Sequence, residues 1–89
     1  MNYVQAARNL LSRKIDVEDD LLDLYTLLVF VTGVDTELED VHDAWAIWRN
    51  RTNPSHEALL PFSDLPEETR GLDRKFVKAI RETAREVAA

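Results

Sequence analysis

From Leu21 to Val31 the chain is apolar on every side of a helical wheel, with only Asp23 and Thr26 as interruptions, and this run limits the fold more than any other feature. A helix of this kind has no face suited to water, so other elements must surround it. Val29-Phe30-Val31 is β-branched and aromatic and would suit a strand, but no alternating run exists elsewhere to pair with it. The longest uninterrupted apolar stretch, Leu27 to Val31, falls far short of the roughly 20 residues a membrane span requires. The expectation is a helical bundle assembled around this segment.

The surrounding helices follow from period and punctuation. Tyr3, Val4, Ala7, Leu10 and Leu11 share one arc at 100° per residue, with Gln5, Arg8, Asn9 and Ser12 opposite, which predicts an amphipathic helix near 3–14. Asp16, Glu18, Asp19 and Asp20 crowd the start of the apolar helix, where carboxylates favour the positive end of the helix dipole. Gly33 supplies a left-handed stop. Thr36 and Glu39 have capping-box spacing, so a third helix should begin at about 37 with Thr36 as its N-cap. Leu38, Val41, Ala44, Trp45 and Trp48 form its apolar stripe, Ile47 projects to the other side between Asp40 and Asp43, and Pro54 ends it.

Residues 52–63 carry Pro54 and Pro61 around Leu59, Leu60 and Phe62, the pattern of an ordered loop that pins apolar side chains onto the helices. Asp64-Leu65-Pro66-Glu67 reads as a further cap, with a short helical turn closed by Gly71. The last helix, near 73–87, sets Phe76, Val77, Ile80, Ala84 and Val87 on one face and a basic stripe of Arg74, Lys78, Arg81 and Arg85 on the other. The predicted architecture is an all-α, compact bundle of four helices plus one short helical turn, with an ordered proline-containing loop between helices 3 and 4. Its 89 residues constitute one domain, 1–89.

Charge is segregated along the chain. Residues 1–15 hold three bases and no acid, residues 16–48 ten acids and no base, and residues 49–89 eight bases against seven acids. The acidic middle third would repel a nucleic-acid backbone, which disfavours nucleic acid as a partner. The absence of cysteine excludes disulfides and thiolate metal sites and points to the reducing cytoplasm. Met1-Asn2-Tyr3-Val4-Gln5 lacks the basic-then-apolar layout of a signal peptide, which predicts a soluble, cytoplasmic protein with no membrane partner.

Chemistry is sparse. His42 and His56 are the only imidazoles, fourteen positions apart, with no His-x-x-x-His or Glu-x-x-His spacing, so no metal or other cofactor is expected. No Gly-rich phosphate loop, nucleophile elbow or cysteine is present, and no catalytic residue can be named; the chain is not expected to be an enzyme. Trp45 and Trp48 admit two readings. They could form a stacking platform for a ligand with Arg49 and Arg51, or they could fill the core against Phe62 and the Pro61 loop, each indole N–H meeting a loop carbonyl. The second is favoured, with His42 hydrogen-bonding at the same helix–loop junction.

Val41-His42-Asp43-Ala44-Trp45, Trp48, Pro54-Ser55-His56 and Leu60-Pro61-Phe62-Ser63-Asp64-Leu65-Pro66-Glu67-Glu68, with the helix through Lys78, resemble the ryanodine-receptor-repeat (RyR) domain over about half of the chain. The whole chain, with its Met1-Asn2-Tyr3-Val4 opening and Leu22-Asp23-Leu24-Tyr25 helix, is similar to a family of small uncharacterised proteins of actinobacteria and their phages. The RyR resemblance implies a ligand-sensing or interaction module, in bacteria sometimes linked to nucleotides, whose ligand would meet His42, Trp45, Arg49 and the loop around His56 and Phe62. The chain differs from the repeat in its two additional N-terminal helices and lack of a tandem copy.

Two functions are therefore expected, in order. The first is a non-enzymatic, phage- or bacterium-encoded interaction module that docks another protein, or a second copy of itself, through a basic stripe (Arg74, Lys78, Arg81, Arg85) and an acidic face (Asp40, Asp43, Ile47). The second is a sensor or sponge for a nucleotide-like small molecule in a pocket of His42, Trp45, Trp48, Arg49, His56 and Phe62.

Overall fold

A computed structural model describes all residues, Met1–Ala89, and is helical throughout with no strand. The order is α1 (Tyr3–Ser12), α2 (Asp19–Val31), a 3-10 turn (Gly33–Asp35), α3 (Leu38–Thr52), a second 3-10 turn (Phe62–Asp64), the single-turn helix α4 (Glu67–Arg70) and α5 (Arg74–Ala88). Four substantial helices and one short helical turn match the expected architecture. No helix is long and apolar enough to cross a membrane.

The core lies where α2 meets α1, α3 and α5. Leu11, Leu21, Leu22, Tyr25, Val29, Val41, Ala44, Val77, Ala79, Ile80 and Ala84 form one buried cluster, with Trp45, Trp48 and Phe76 packed half-buried against it. Tyr25 is the largest fully buried side chain, and its ring sits 5.3 Å from that of Phe76. Threonines within the helices satisfy themselves: the Thr26 hydroxyl donates to the Leu22 carbonyl and that of Thr83 to the Ala79 carbonyl, so neither adds an unpaired polar group to the core.

Two expectations about burial are corrected. α2 is not enclosed: Leu27, Phe30 and Val31 reach solvent, Val31 with 68% of its surface free. Three packed neighbours cover one broad face of a helix, and a domain of this size has no further element to cover the rest. On α1 only Ala7 and Leu11 are fully buried, whereas Tyr3 is 73% exposed and Val4 is also open to solvent. Tyr3 instead meets Phe30 edge-on at 5.3 Å. The helix ends at Ser12, earlier than position 14.

The start of α3 is also shifted. Thr36 is not the N-cap; Glu37 is, and the Asp40 carboxylate accepts the Glu37 N–H at 2.8 Å. The Thr36 hydroxyl is used to close the preceding 3-10 turn, donating to the Gly33 carbonyl at 2.7 Å with the Thr32 hydroxyl also at 2.7 Å. Gly33 enters that turn at φ 55°, the left-handed geometry that lets the chain reverse onto α5. Arg81 then ties the turn to α5, its Nε donating to the Thr36 carbonyl at 2.7 Å and its guanidinium 3.5 Å from Glu37.

Part of the acidic block is neutralised within the chain. Arg8 reaches Asp23 at 2.7 Å and Asp19 at 3.4 Å, and Arg51 lies 3.6 Å from Asp20. The bases of α1 and the end of α3 thus serve as counterions to α2, and the surface is less polarised than the linear sequence. Glu39 and Asp43 on α3 have no basic side chain within ion-pair distance.

Candidate functional site

The helix–loop junction is organised by His42. It is buried on α3, and its Nε2 lies 2.7 Å from the Leu60 carbonyl, eighteen residues on. A carbonyl can only accept, so Nε2 carries a proton and donates it to Leu60. The imidazole stacks on Trp45 at 5.8 Å and lies 6.2 Å from Phe62, and Trp45 in turn meets His56 edge-on at 5.1 Å. The His56 Nδ1 accepts the Ala58 N–H at 3.0 Å, which holds the loop's own turn.

The expected tryptophan contacts are corrected. Neither indole N–H is bonded to a loop carbonyl; His42 takes that role alone, and both indoles are half-buried. Arg49 lies over them, its guanidinium carbon 4.5 Å from the Trp48 ring centre and 5.9 Å from that of Trp45. A cation over an indole face is favourable, and here it consumes the arginine that a stacking platform would have needed.

Two hollows flank the His42–Leu60 bond. The larger is a cleft of about 600 Å³ between α3, the loop and the α4–α5 junction, with Trp45, His56, Leu60, Leu65, Leu72 and Asp73 on its walls. The expected ligand set is therefore divided: His42, Trp45 and His56 line the cleft, while Trp48, Arg49 and Phe62 do not. The smaller hollow, about 340 Å³, sits on the far side and is formed by Asp43, Ile47, Leu59, Leu60 and Pro61 with His42 at its floor. Ile47 is 61% exposed there, beside Asp43 as expected, whereas Asp40 is engaged in the α3 cap.

The basic stripe of α5 borders a third groove, together with Glu37 and Glu82. Arg81 is committed to Thr36 and Glu37, and Lys78 stands 4.0 Å from Glu82, leaving Arg74 and Arg85 without an ion-pair partner. No three His, Asp or Glu side chains converge closely enough to hold a metal ion.

Asp73 is the residue that the sequence reading missed. It precedes α5 as its N-cap but its side chain makes no capping bond; it is half-buried in the cleft wall. Burial holds its carboxyl above the ordinary carboxylate range, against the opposing charges of His42 and Lys75. The hydroxyl of Tyr25 is buried without a partner, and its pKa is raised by burial first and by the charge of Asp73 second. The only earlier signal was the position of Asp73 at a helix start; nothing local could place it near His42, thirty-one residues away.

A raised carboxyl pKa in the folded state means that ionised Asp73 opposes folding. The penalty is present above the folded pKa, shrinks as pH falls towards the ordinary value, and vanishes below it. Asp73→Asn keeps the helix-start preference and removes the charge. It is expected to melt above the wild type at pH 7, with the two curves converging towards pH 3, as read by circular dichroism. A lower melting temperature for the variant at pH 7 would show that the carboxylate is stabilising after all.

A family model described as "Domain of unknown function (DUF7701)" matches residues 2–85. No curated protein and no solved structure matches the chain.

Proposed function

Starting from a chain that belongs to the family of domains of unknown function DUF7701, a membership that carries no activity with it, we propose a non-enzymatic module that docks a basic segment of a partner protein. The observation that carries the proposal is Ile47, an exposed isoleucine seated in a hollow with Leu59, Leu60 and Pro61 and edged by Asp43, which has no counterion. An apolar centre with a charged rim is the anatomy of a protein contact. Glu39, also without a counterion, extends the acidic rim along α3. Arg74 and Arg85, the free members of the α5 stripe, form a separate basic contact of opposite preference.

The nucleotide-like ligand suggested by the RyR resemblance has less support. The cleft walls carry Glu57 and Asp73 and neither Lys nor Arg, so a phosphate would meet like charge, and Arg49 is held over the indoles. The phage or bacterial setting is supported by sequence resemblance alone, and the cytoplasm by the lack of cysteine.

Selection of a random-peptide library on the immobilised chain tests the proposal. Peptides with Lys or Arg beside apolar residues are expected to enrich, and Ile47→Glu or Asp43→Lys should weaken them at least tenfold, about 1.4 kcal/mol. Arg74→Glu with Arg85→Glu should leave the same peptides unaffected. No enrichment, enrichment of acidic peptides, or full binding by Ile47→Glu would overturn it.

A further inference from the structure

We infer that the cleft beside the Ile47 hollow receives a cationic side chain, arginine or lysine, from the same docked segment. This deepens the interaction reading and rests on it. The cleft and the hollow share His42 and Leu60 as a common wall, so a chain lying over Ile47 passes the rim of the cleft within reach of a long side chain.

The walls describe what such a side chain must be. Trp45, Leu60, Leu65 and Leu72 offer apolar surface to a hydrocarbon stem, and Leu72, at the rim, is 70% exposed with nothing in the chain covering it. The only carboxylates on the walls are Glu57 and Asp73, and no Lys or Arg opposes them. An apolar stem with a charged head is the build of lysine and arginine, which bury the stem while the head seeks an anion. Arginine adds a planar fork that a carboxylate can accept in two parallel bonds.

The two internal groups that act on Asp73, His42 and Lys75, are already engaged elsewhere. His42 donates its Nε2 proton to Leu60, and Lys75 stands 5.0 Å over the ring of Phe76. Asp73 accepts no capping bond and forms no ion pair, so a half-buried carboxylate is left facing the groups around it without a hydrogen-bonded partner. Its raised pKa records that cost, and the Tyr25 hydroxyl behind it is equally unpartnered. An incoming guanidinium or ammonium supplies the missing counterion; an anionic ligand would worsen the deficit.

N-acetyl-arginine amide, titrated against the whole chain at pH 7 and low salt, is the probe. A dissociation constant in the millimolar range is expected for one side chain without its peptide. Tryptophan emission should shift, and amide resonances of Thr69, Leu72 and Asp73 should move in a heteronuclear NMR titration. N-acetyl-norleucine amide, with the stem and no charge, should bind at least tenfold more weakly, and adenosine monophosphate should not move these resonances. Asp73→Asn, whose fold can be checked in the same spectra, should weaken the arginine probe at least tenfold.

Equal binding of the norleucine probe, unchanged affinity in Asp73→Asn, or binding of the nucleotide at these resonances would overturn the assignment. The two readings fail separately. Selected peptides that lose affinity in Ile47→Glu but are indifferent to Asp73→Asn would remove the cationic pocket and leave the docking module. Arginine binding at Asp73 with no peptide enriched would retain the cation site and remove the docking module.

Discussion

Tyr25→Ala is expected to cost about 3–5 kcal/mol of folding free energy, the range for deleting a large aromatic side chain from a packed core. Tyr25 is fully buried on α2 and packs on Phe76 of α5, so the cavity would open in the core between these two helices. A chain of 89 residues has roughly 5–10 kcal/mol in total, so the variant should unfold at low denaturant and be partly unfolded at physiological temperature. Tyr25→Phe should act in the opposite direction. It keeps the ring and removes a buried hydroxyl that has no partner, an atom whose desolvation costs about 1–3 kcal/mol.

A gain of about 1 kcal/mol, or about 4–8 °C in Tm, is the expected result for Tyr25→Phe. The pH dependence gives an independent check. Because burial holds the phenol protonated in the folded state, the unfolded chain alone releases this proton above the ordinary value of 10.0, and wild-type stability falls as pH rises through it. Tyr25→Phe lacks that contribution, so its advantage should widen in alkali. Urea unfolding followed by circular dichroism at pH 7 and pH 11 measures both effects; a Phe variant less stable than wild type at pH 7 would mean that the hydroxyl does find a partner.

The second large effect is expected at His42. The loop residues 54–61 contain no fully buried side chain, and their backbone bonds are local, such as Leu59 N–H to the His56 carbonyl. The His42 Nε2 bond to Leu60 is what ties them to α3. His42→Ala removes that bond together with the ring contacts to Trp45 and Phe62, and should cost about 2–3 kcal/mol, combining an unpaired carbonyl with lost packing. More of that loss should appear locally than globally. Hydrogen exchange at Ala58 and Leu59 should speed up by about 10–100-fold, the factor that corresponds to 1.4–2.8 kcal/mol of local opening.

His42→Gln retains an N–H donor and should recover part of this protection. Unchanged exchange in His42→Ala would show that the loop is held by Leu65 and its neighbours instead. Because Leu60 and His42 form the wall between the two hollows, loosening the loop should also blur both, and peptide binding in His42→Ala should weaken.

The helices were legible because each is specified within its own few turns. Asn2 caps α1 through the Gln5 N–H, the acids Asp19 and Asp20 sit in the first turn of α2, and Pro54 follows the end of α3 at Thr52. The α5 pattern correctly placed Val77, Ile80 and Ala84 inside, while Val87 in its last turn remained exposed. His42 at the loop junction and Ile47 on the outer face were also readable, since both follow from helical phase. The capping residue of α3 was not, because Thr36 had two uses of similar local merit and the contact with Arg81, forty-five residues away, favours the one that closes the turn.

Phase along each helix, the breaks imposed by Gly33 and Pro54, and the total of apolar and charged side chains are properties of neighbouring residues, and the amino-acid order determines them without reference to the rest of the molecule. Which apolar faces are covered, and which charges meet, belong to the packed structure: Val31 stays in water because no fifth rod reaches it, Arg8 neutralises α2, and Asp73 stands without a counterion in a cleft opposite α3. Periodicity carries information over a few residues, whereas burial and charge pairing depend on distances between segments that only the closed bundle sets.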